Sequence, residues 1–181
     1  MKFRPLREDE IEVRVGRVFD SGSGVELLLY KTSRTDMCIL DETVGNENWQ
    51  CEFYEQKGTL FCKVGILCDC RDGRSEWVWK DNAGSPSNME AQKGEASDAL
   101  KRAGSTWGIG RELYTAPRIF VYADKCKSLK QGKNGKMQCY DHFSVAKIKV
   151  VDGRIVGLAI RNDDTGRVVF TYVEDGYGKE Q

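Results

Sequence analysis

Three strand-like runs, Trp49 to Gln56, Thr59 to Asp69 and Glu76 to Lys80, succeed one another with only Lys57-Gly58 and Arg71-Asp72-Gly73 as clear breaks between them. Both breaks are turn signals, and connections this short join antiparallel neighbours. The chain is thereby committed to a three-stranded antiparallel meander. The segment after the meander narrows the choice further. Ser87-Asn88-Met89-Glu90 reads as a capping box, with serine at the N-cap and glutamate three residues on. Met89, Ala96, Leu100, Ala103 and Trp107 then recur on one helical stripe, and Gly108 is the stop. The stripe is mostly small, so this helix lies close against a sheet.

Before the meander, Ile11, Val15, Val18 and Phe19 recur at helical spacing, with Glu8, Asp9 and Glu10 near the N-terminal dipole. This predicts a helix over Pro5 to Asp20. Val25 to Tyr30 reads as a strand. Thr32 to Val44 reads as a helix capped by Thr32 or Ser33 and stopped by Gly45. Beyond the long helix come a strand over Arg118 to Ala123 and a hairpin of Phe143 to Val151 with Arg154 to Ile160 around Asp152-Gly153. Arg167 to Tyr172 adds a last strand. The fold class is α+β: an antiparallel sheet, the meander plus the C-terminal hairpin strands, packed on one long helix.

The chain has 181 residues, room for one well-buried core. It has no apolar run long enough for a membrane span, and its charged start, Met1 to Glu10, has no secretory apolar region. A cytoplasmic protein is the expectation. Lysine and arginine number 28 against 28 acidic residues, so any nucleic-acid site must come from local clustering. The seven cysteines, Cys38, Cys51, Cys62, Cys68, Cys70, Cys126 and Cys139, fall largely in strand runs, and no arrangement of them with His142 has standard zinc spacing. Reduced structural thiols and no metal are expected. Enzymatic signals are weak. His142 is the one histidine, there is no phosphate loop, and Gly104, Gly108 and Gly110 stand at a helix end rather than after a strand. Asp69, Asp72, Asp81, Asp163 and Asp164 lie mostly in turns, where aspartate is an ordinary turn former.

Two basic features stand out. On the long helix, Lys101 and Arg102 project beside a flank of small residues that includes Gly94, Ser97 and Ser105. Further on, Lys125, Lys127, Lys130, Lys133 and Lys136 carry no acid between them, and Asn134-Gly135 suits a hairpin turn. Either could meet phosphate, and either could be a solvated surface. The tryptophans Trp49, Trp77, Trp79 and Trp107 read most economically as core.

Two segments, Leu28 to Trp49 with its closing Val44-Gly45-x-x-x-Trp49, and Glu95 to Gly108 with Asp98-Ala-Leu-Lys-Arg-Ala103, resemble the Rad fifty-two/Rad twenty-two family of single-strand annealing proteins. Gly108 to Pro117 looks like its short phage and prophage members from Gram-positive bacteria. The resemblance covers about Ile11 to Ile119. It implies a ring-forming annealing fold, with the annealing core over 1–123; the residues themselves read as a basic segment and β-hairpin extension of the same domain over 124–173 and a frayed tail over 174–181. The resemblance implies ATP-independent binding and annealing of single-stranded DNA in recombination and repair, with no catalysis and no cofactor. The implied partners are single-stranded DNA, further copies of the chain in a ring or helical array, and a phage exonuclease or a host single-strand binding protein. Lys101 and Arg102 match the family's backbone-holding positions, Arg14 its arginine near the end of the first helix, and Lys57 lies near its outer-site lysine. Ser105 stands where the family often carries another cation, so compensation is expected from Arg111 or from Lys127, Lys130, Lys133 and Lys136.

Overall fold

The computed structural model of the protein describes residues 1–71, 73–85, 91–133 and 135–177. Along the chain run β1 (Glu12–Val18), β2 (Gly24–Tyr30), α1 (Ser33–Val44), β3 (Trp49–Gln56), β4 (Thr59–Asp69), β5 (Ser75–Ala83) and α2 (Ala91–Trp107). Then come β6 (Ile119–Tyr122), β7 (Lys130–Gln131), β8 (Met137–Gln138), β9 (Phe143–Val151), β10 (Arg154–Asn162) and β11 (Arg167–Val173). The chain divides into two compact units, Met1–Arg4 with Lys31–Gly110, and Pro5–Tyr30 with Arg111–Gln181. No helix among the described residues is long and apolar enough to cross a membrane.

The first unit holds the expected meander as its own three-stranded sheet, β3-β4-β5, with α2 packed on β4 and β5. Its first turn is a two-residue connection with Lys57 at φ 53° and Gly58 at φ 74°, the left-handed pair that suits the twist of a hairpin. Cys62, Val64 and Ile66 of β4 are fully buried, with Ala99 and Ala103 of α2 and Ile39 and Leu40 of α1. Thr32 caps α1 by accepting the Thr35 N–H at 3.3 Å, and Gly45 ends it at φ 84°. Gly108, at φ 110°, comes directly after the end of α2. The expected capping box at Ser87 to Glu90, together with Met89 of the stripe, lies outside the described residues, as does Asp72 of the second turn.

The second unit corrects two expectations. The stretch read as a helix from Pro5 to Asp20 is a short 3-10 turn, Glu8–Glu10, and then strand β1. The helical spacing of Ile11, Val15 and Val18 is outweighed by a second period in the same residues. Val13 and Val15 alternate with Glu12 and Arg14, and β-branched valines fit a half-buried pleat. An irregularity between Val15 and Arg17 resets the alternation at Gly16, where a Cβ would meet Leu28 at 2.6 Å. Long-range pairing with β2 and β9 then holds the strand. The C-terminal strands also do not join the meander. They belong to a six-stranded antiparallel sheet in the order β11-β10-β9-β1-β2-β6, and the long helix α2 packs in the other unit. Here Val25, Leu27, Ile119, Val121, Ile155, Leu158 and Ile160 are buried. The β9–β10 connection is the expected Asp152-Gly153 turn, at φ 50° and 76°. β7 and β8 pair with each other as a small ribbon.

Candidate nucleic-acid interface

In the first unit, α2 turns Leu100 and Ala103 into the core, and this leaves Lys101 and Arg102 on the side away from it. The two cations share one carboxylate. Arg102 Nε donates to Asp98 Oδ2 at 2.8 Å, and Lys101 Nζ stands 3.5 Å from Oδ1. A second arginine nitrogen reaches the Ser85 hydroxyl at 3.4 Å. Burial acts to raise the Asp98 pKa. The hydrogen bonds from Arg102 and from the Ser85 N–H, with the charges of Arg102 and Lys101, outweigh it and hold the group below the usual carboxylate range. The pair therefore carries a net positive charge on an accessible helix face, with side chains 26% and 47% exposed. Ser105 turns inward to the Lys101 carbonyl at 3.0 Å and adds no charge.

Sequence reasoning missed what sits beneath Lys101. Lys31 and Asp36 are both buried and joined as an ion pair, with Lys31 Nζ donating to both carboxylate oxygens and also to the Lys101 carbonyl at 3.2 Å. Desolvation pushes the Asp36 carboxyl up to about 6, although the Lys31 and Lys101 charges pull the other way. The pair ties the first turn of α1 to the backbone of α2 at the residue whose side chain faces outward. It fits only because Gly104 has no side chain: a Cβ there would lie 2.8 Å from Asp36 Oδ1. The available sequence signal was a lysine and an aspartate flanking the N-cap of α1, a pattern equally common on solvated helix ends.

The face of the meander away from α2 corrects the reading of the tryptophans as core. Trp79 lies across Gly65, where a Cβ would meet its ring at 2.8 Å, and Trp77 is 38% exposed with its ring centre 6.2 Å from that of Trp79. Trp107 instead packs inward and donates its indole N–H to the Val64 carbonyl at 2.9 Å. Lys63 sits 4.6 Å from the Trp79 ring centre and also bonds Glu52 at 2.8 Å, while Asp81 stands opposite it on β5. Aromatics and a cation together suit single strands. Two carboxylates against one lysine make this face a poorer phosphate surface than the α2 pair. Lys57, in the β3–β4 turn, is exposed.

In the second unit, Arg14 is exposed on β1, with its guanidinium 4.8 Å from the Tyr30 ring centre. It stands on a strand rather than near a helix end. Arg17 is 4.6 Å and Arg118 5.9 Å from the Phe19 ring centre, and Arg118 also bonds Glu26 at 2.9 Å. This arginine and aromatic cluster was absent from the sequence-level candidates, because its members come from separate stretches of the chain. On β9 of the same sheet, Lys147 and Lys149 stand opposite the small residues Ala159 and Gly157 and line a hollow of about 440 Å³. Arg111 opens the 3-10 segment Arg111–Thr115 and is exposed.

The lysine-rich segment forms the β7–β8 ribbon, in which Lys130 pairs with Gln138 and Gln131 with Met137. Asn134 lies outside the described residues, and Gly135 N–H closes onto the Gly132 carbonyl at 3.0 Å. Lys127, Lys130, Lys133 and Lys136 are all exposed, and Lys127 Nζ also reaches the Asp164 carbonyl at 3.3 Å. Nearby, His142 is 80% exposed and turns both its backbone N–H and its Nδ1 to Asp164, at 2.7 and 3.1 Å.

The sequence-level candidates therefore fall into separate groups, Lys57, Lys101 and Arg102 in one unit and Arg14, Arg111 and the ribbon lysines in the other. Compared with known proteins, the chain matches one family model, described as Rad52/22 family double-strand break repair protein, over residues 4–134. No curated protein and no solved structure gives a significant match.

Proposed function

The chain belongs to the Rad52/22 family of double-strand break repair proteins, and from that premise we propose that it binds single-stranded DNA and anneals complementary strands without ATP. The observation that carries this reading is the Lys101–Arg102 pair, held on an accessible face of α2 by Asp98 and seated from beneath by Lys31. Cations fixed on a rigid helix hold a strand through its phosphates and leave the bases free to test complementarity. Base pairing then supplies both the specificity and the driving force, so the protein contributes positioning rather than chemistry. Arg14, with Tyr30 beside its guanidinium, Arg111 and the ribbon lysines supply further phosphate contacts in this reading. Several copies assemble head to tail as a ring or helical array that repeats the Lys101–Arg102 face along the strand. The setting is phage or prophage recombination in the bacterial cytoplasm, where an exonuclease that makes single strands and the host single-strand binding protein are the natural partners.

The decisive experiment mixes purified protein with two complementary labelled oligonucleotides and follows duplex formation with neither nucleotide nor metal added. Rapid annealing above the spontaneous rate supports the proposal. Binding without annealing would leave an interaction module of the same fold, and strand cleavage on adding a divalent metal would make it a nuclease. Light scattering that gives a monomer both with and without DNA would overturn the assembly.

A further inference from the structure

The β7–β8 ribbon has two residues in each strand, far short of what a two-stranded ribbon needs to hold itself in water. Its base explains how it stays closed. Cys126, which ends the 3-10 turn Ala123–Lys125, and Cys139, directly after β8, flank the ribbon, and Asp141 comes two residues later. The two sulfurs and a carboxylate oxygen all lie within 4.8 Å of one another. Asp141 is 7% exposed and both cysteines are half-buried. We propose that Cys126, Cys139 and Asp141 bind one thiophilic divalent cation, zinc, which staples the base of the lysine-rich ribbon.

The donor set fits such an ion. Two thiolates and a carboxylate are three of the four ligands of a tetrahedral zinc site, and solvent can fill the fourth position. Asp141 is held ready by its surroundings. Its Oδ2 accepts the Lys127 N–H at 2.6 Å and the Asn162 side-chain amide at 2.7 Å, its Oδ1 accepts the Ser128 N–H at 2.7 Å, and the Ser128 hydroxyl is a further donor to the carboxylate. These are the outer-shell bonds that orient a ligating carboxylate. The sulfurs have only weak polar partners: they hydrogen-bond each other, Cys126 Sγ lies 3.6 Å from the Tyr122 carbonyl, and Cys139 Sγ lies 4.0 Å from the Ser128 hydroxyl. Binding would release the two thiol protons to solvent, and the residual negative charge of the complex would sit beside a segment rich in lysine. The spacing Cys126-x12-Cys139-x-Asp141 matches no standard zinc pattern, so the sequence alone pointed to structural thiols. The inference is independent of the DNA-binding reading, because metal content is measured without DNA.

The test is elemental analysis of the full-length protein, purified under reducing conditions, loaded with zinc chloride and freed of excess by gel filtration. One zinc per chain is expected, lost in Cys126→Ser and in Cys139→Ser, with the far-UV circular dichroism of both variants unchanged. Cobalt loaded in place of zinc should show thiolate charge-transfer absorption that Cys139→Ser lacks. Zinc added to the metal-free protein should slow hydrogen exchange across residues 127–138. Absence of stoichiometric zinc with all seven thiols free, or a Cys126–Cys139 disulfide in non-reducing peptide mass spectrometry, would overturn the proposal.

Discussion

Replacing Gly104 with alanine tests whether the buried Lys31–Asp36 pair sets the distance between α1 and α2. In an ordinary helix interior the change stabilises by about 1 kcal/mol, because alanine has the higher helix propensity. Here the new Cβ would lie 2.8 Å from Asp36 Oδ1 and 3.1 Å from its Cγ. Ordinary contact requires the carboxylate to retreat by roughly half an ångström. It cannot swing into solvent, since Asp36 is fully buried and bonded to Lys31 through both oxygens. Overpacking of this kind costs about 1–3 kcal/mol, and loosening a buried ion pair adds to that. The net expectation is a loss of roughly 1–2 kcal/mol by urea denaturation near neutral pH. The control is the Lys31→Met/Asp36→Ala background, which removes the clash without leaving an orphan charge. There Gly104→Ala should stabilise by about 1 kcal/mol, so the double-mutant cycle should show a coupling of roughly 2–3 kcal/mol. Equal effects of Gly104→Ala in both backgrounds would mean that the ion pair does not set the spacing.

Other expectations concern charge. Lys101→Ala/Arg102→Ala should weaken single-strand binding and flatten the slope of log affinity against log salt by about 1.4, the value for two phosphate contacts on a single strand. An unchanged slope in the folded variant would remove both residues from the site. Asp98→Asn should move the other way and tighten binding several-fold, since that carboxylate now offsets part of the pair's charge. Replacing Lys127, Lys130, Lys133 and Lys136 with glutamine should lower DNA affinity and leave assembly by light scattering intact; normal binding would make the ribbon a solvated loop. For pH, Asp36 is raised from 3.8 to about 6 on folding, so the folded state holds its proton more tightly. That contribution is full below pH 3.8 and is lost as pH rises through about 6, a change on the order of 3 kcal/mol. Asp36→Asn should therefore lose less stability than the parent as pH is raised from about 4 to about 7. Parallel stability profiles for the two proteins would count against the shift.

Much of the candidate site was legible because its signals are local. Asp98, Lys101 and Arg102 stand three and four residues apart on a helix whose stripe faces inward, so their shared charge comes from helical geometry alone. The Lys31 clamp was not legible, since it joins the N-terminal turn of α1 to a carbonyl 70 residues away. The arginine and aromatic cluster around Phe19 and the sulfur cluster at Cys126 and Cys139 are likewise products of chain return.

Features that depend on a few adjacent residues needed nothing beyond the order of the amino acids. These are the Lys57-Gly58 and Asp152-Gly153 turns, the start of α1 at Thr32 or Ser33, the Gly45 and Gly108 stops, and the order of the three meander strands. Backbone sterics decide such features within a turn or two, wherever the rest of the chain lies. Contacts between distant segments were required to choose between helix and strand over Glu12–Val18, where the valines satisfy both periods and the hydrogen bonds to β2 and β9 settle the matter. The same is true of the separation of the meander and the C-terminal strands into two sheets, and of Trp77 and Trp79 facing away from α2. One cause underlies all three. Alternation reports that a strand has two faces, but which partner covers each face depends on residues distant in the chain.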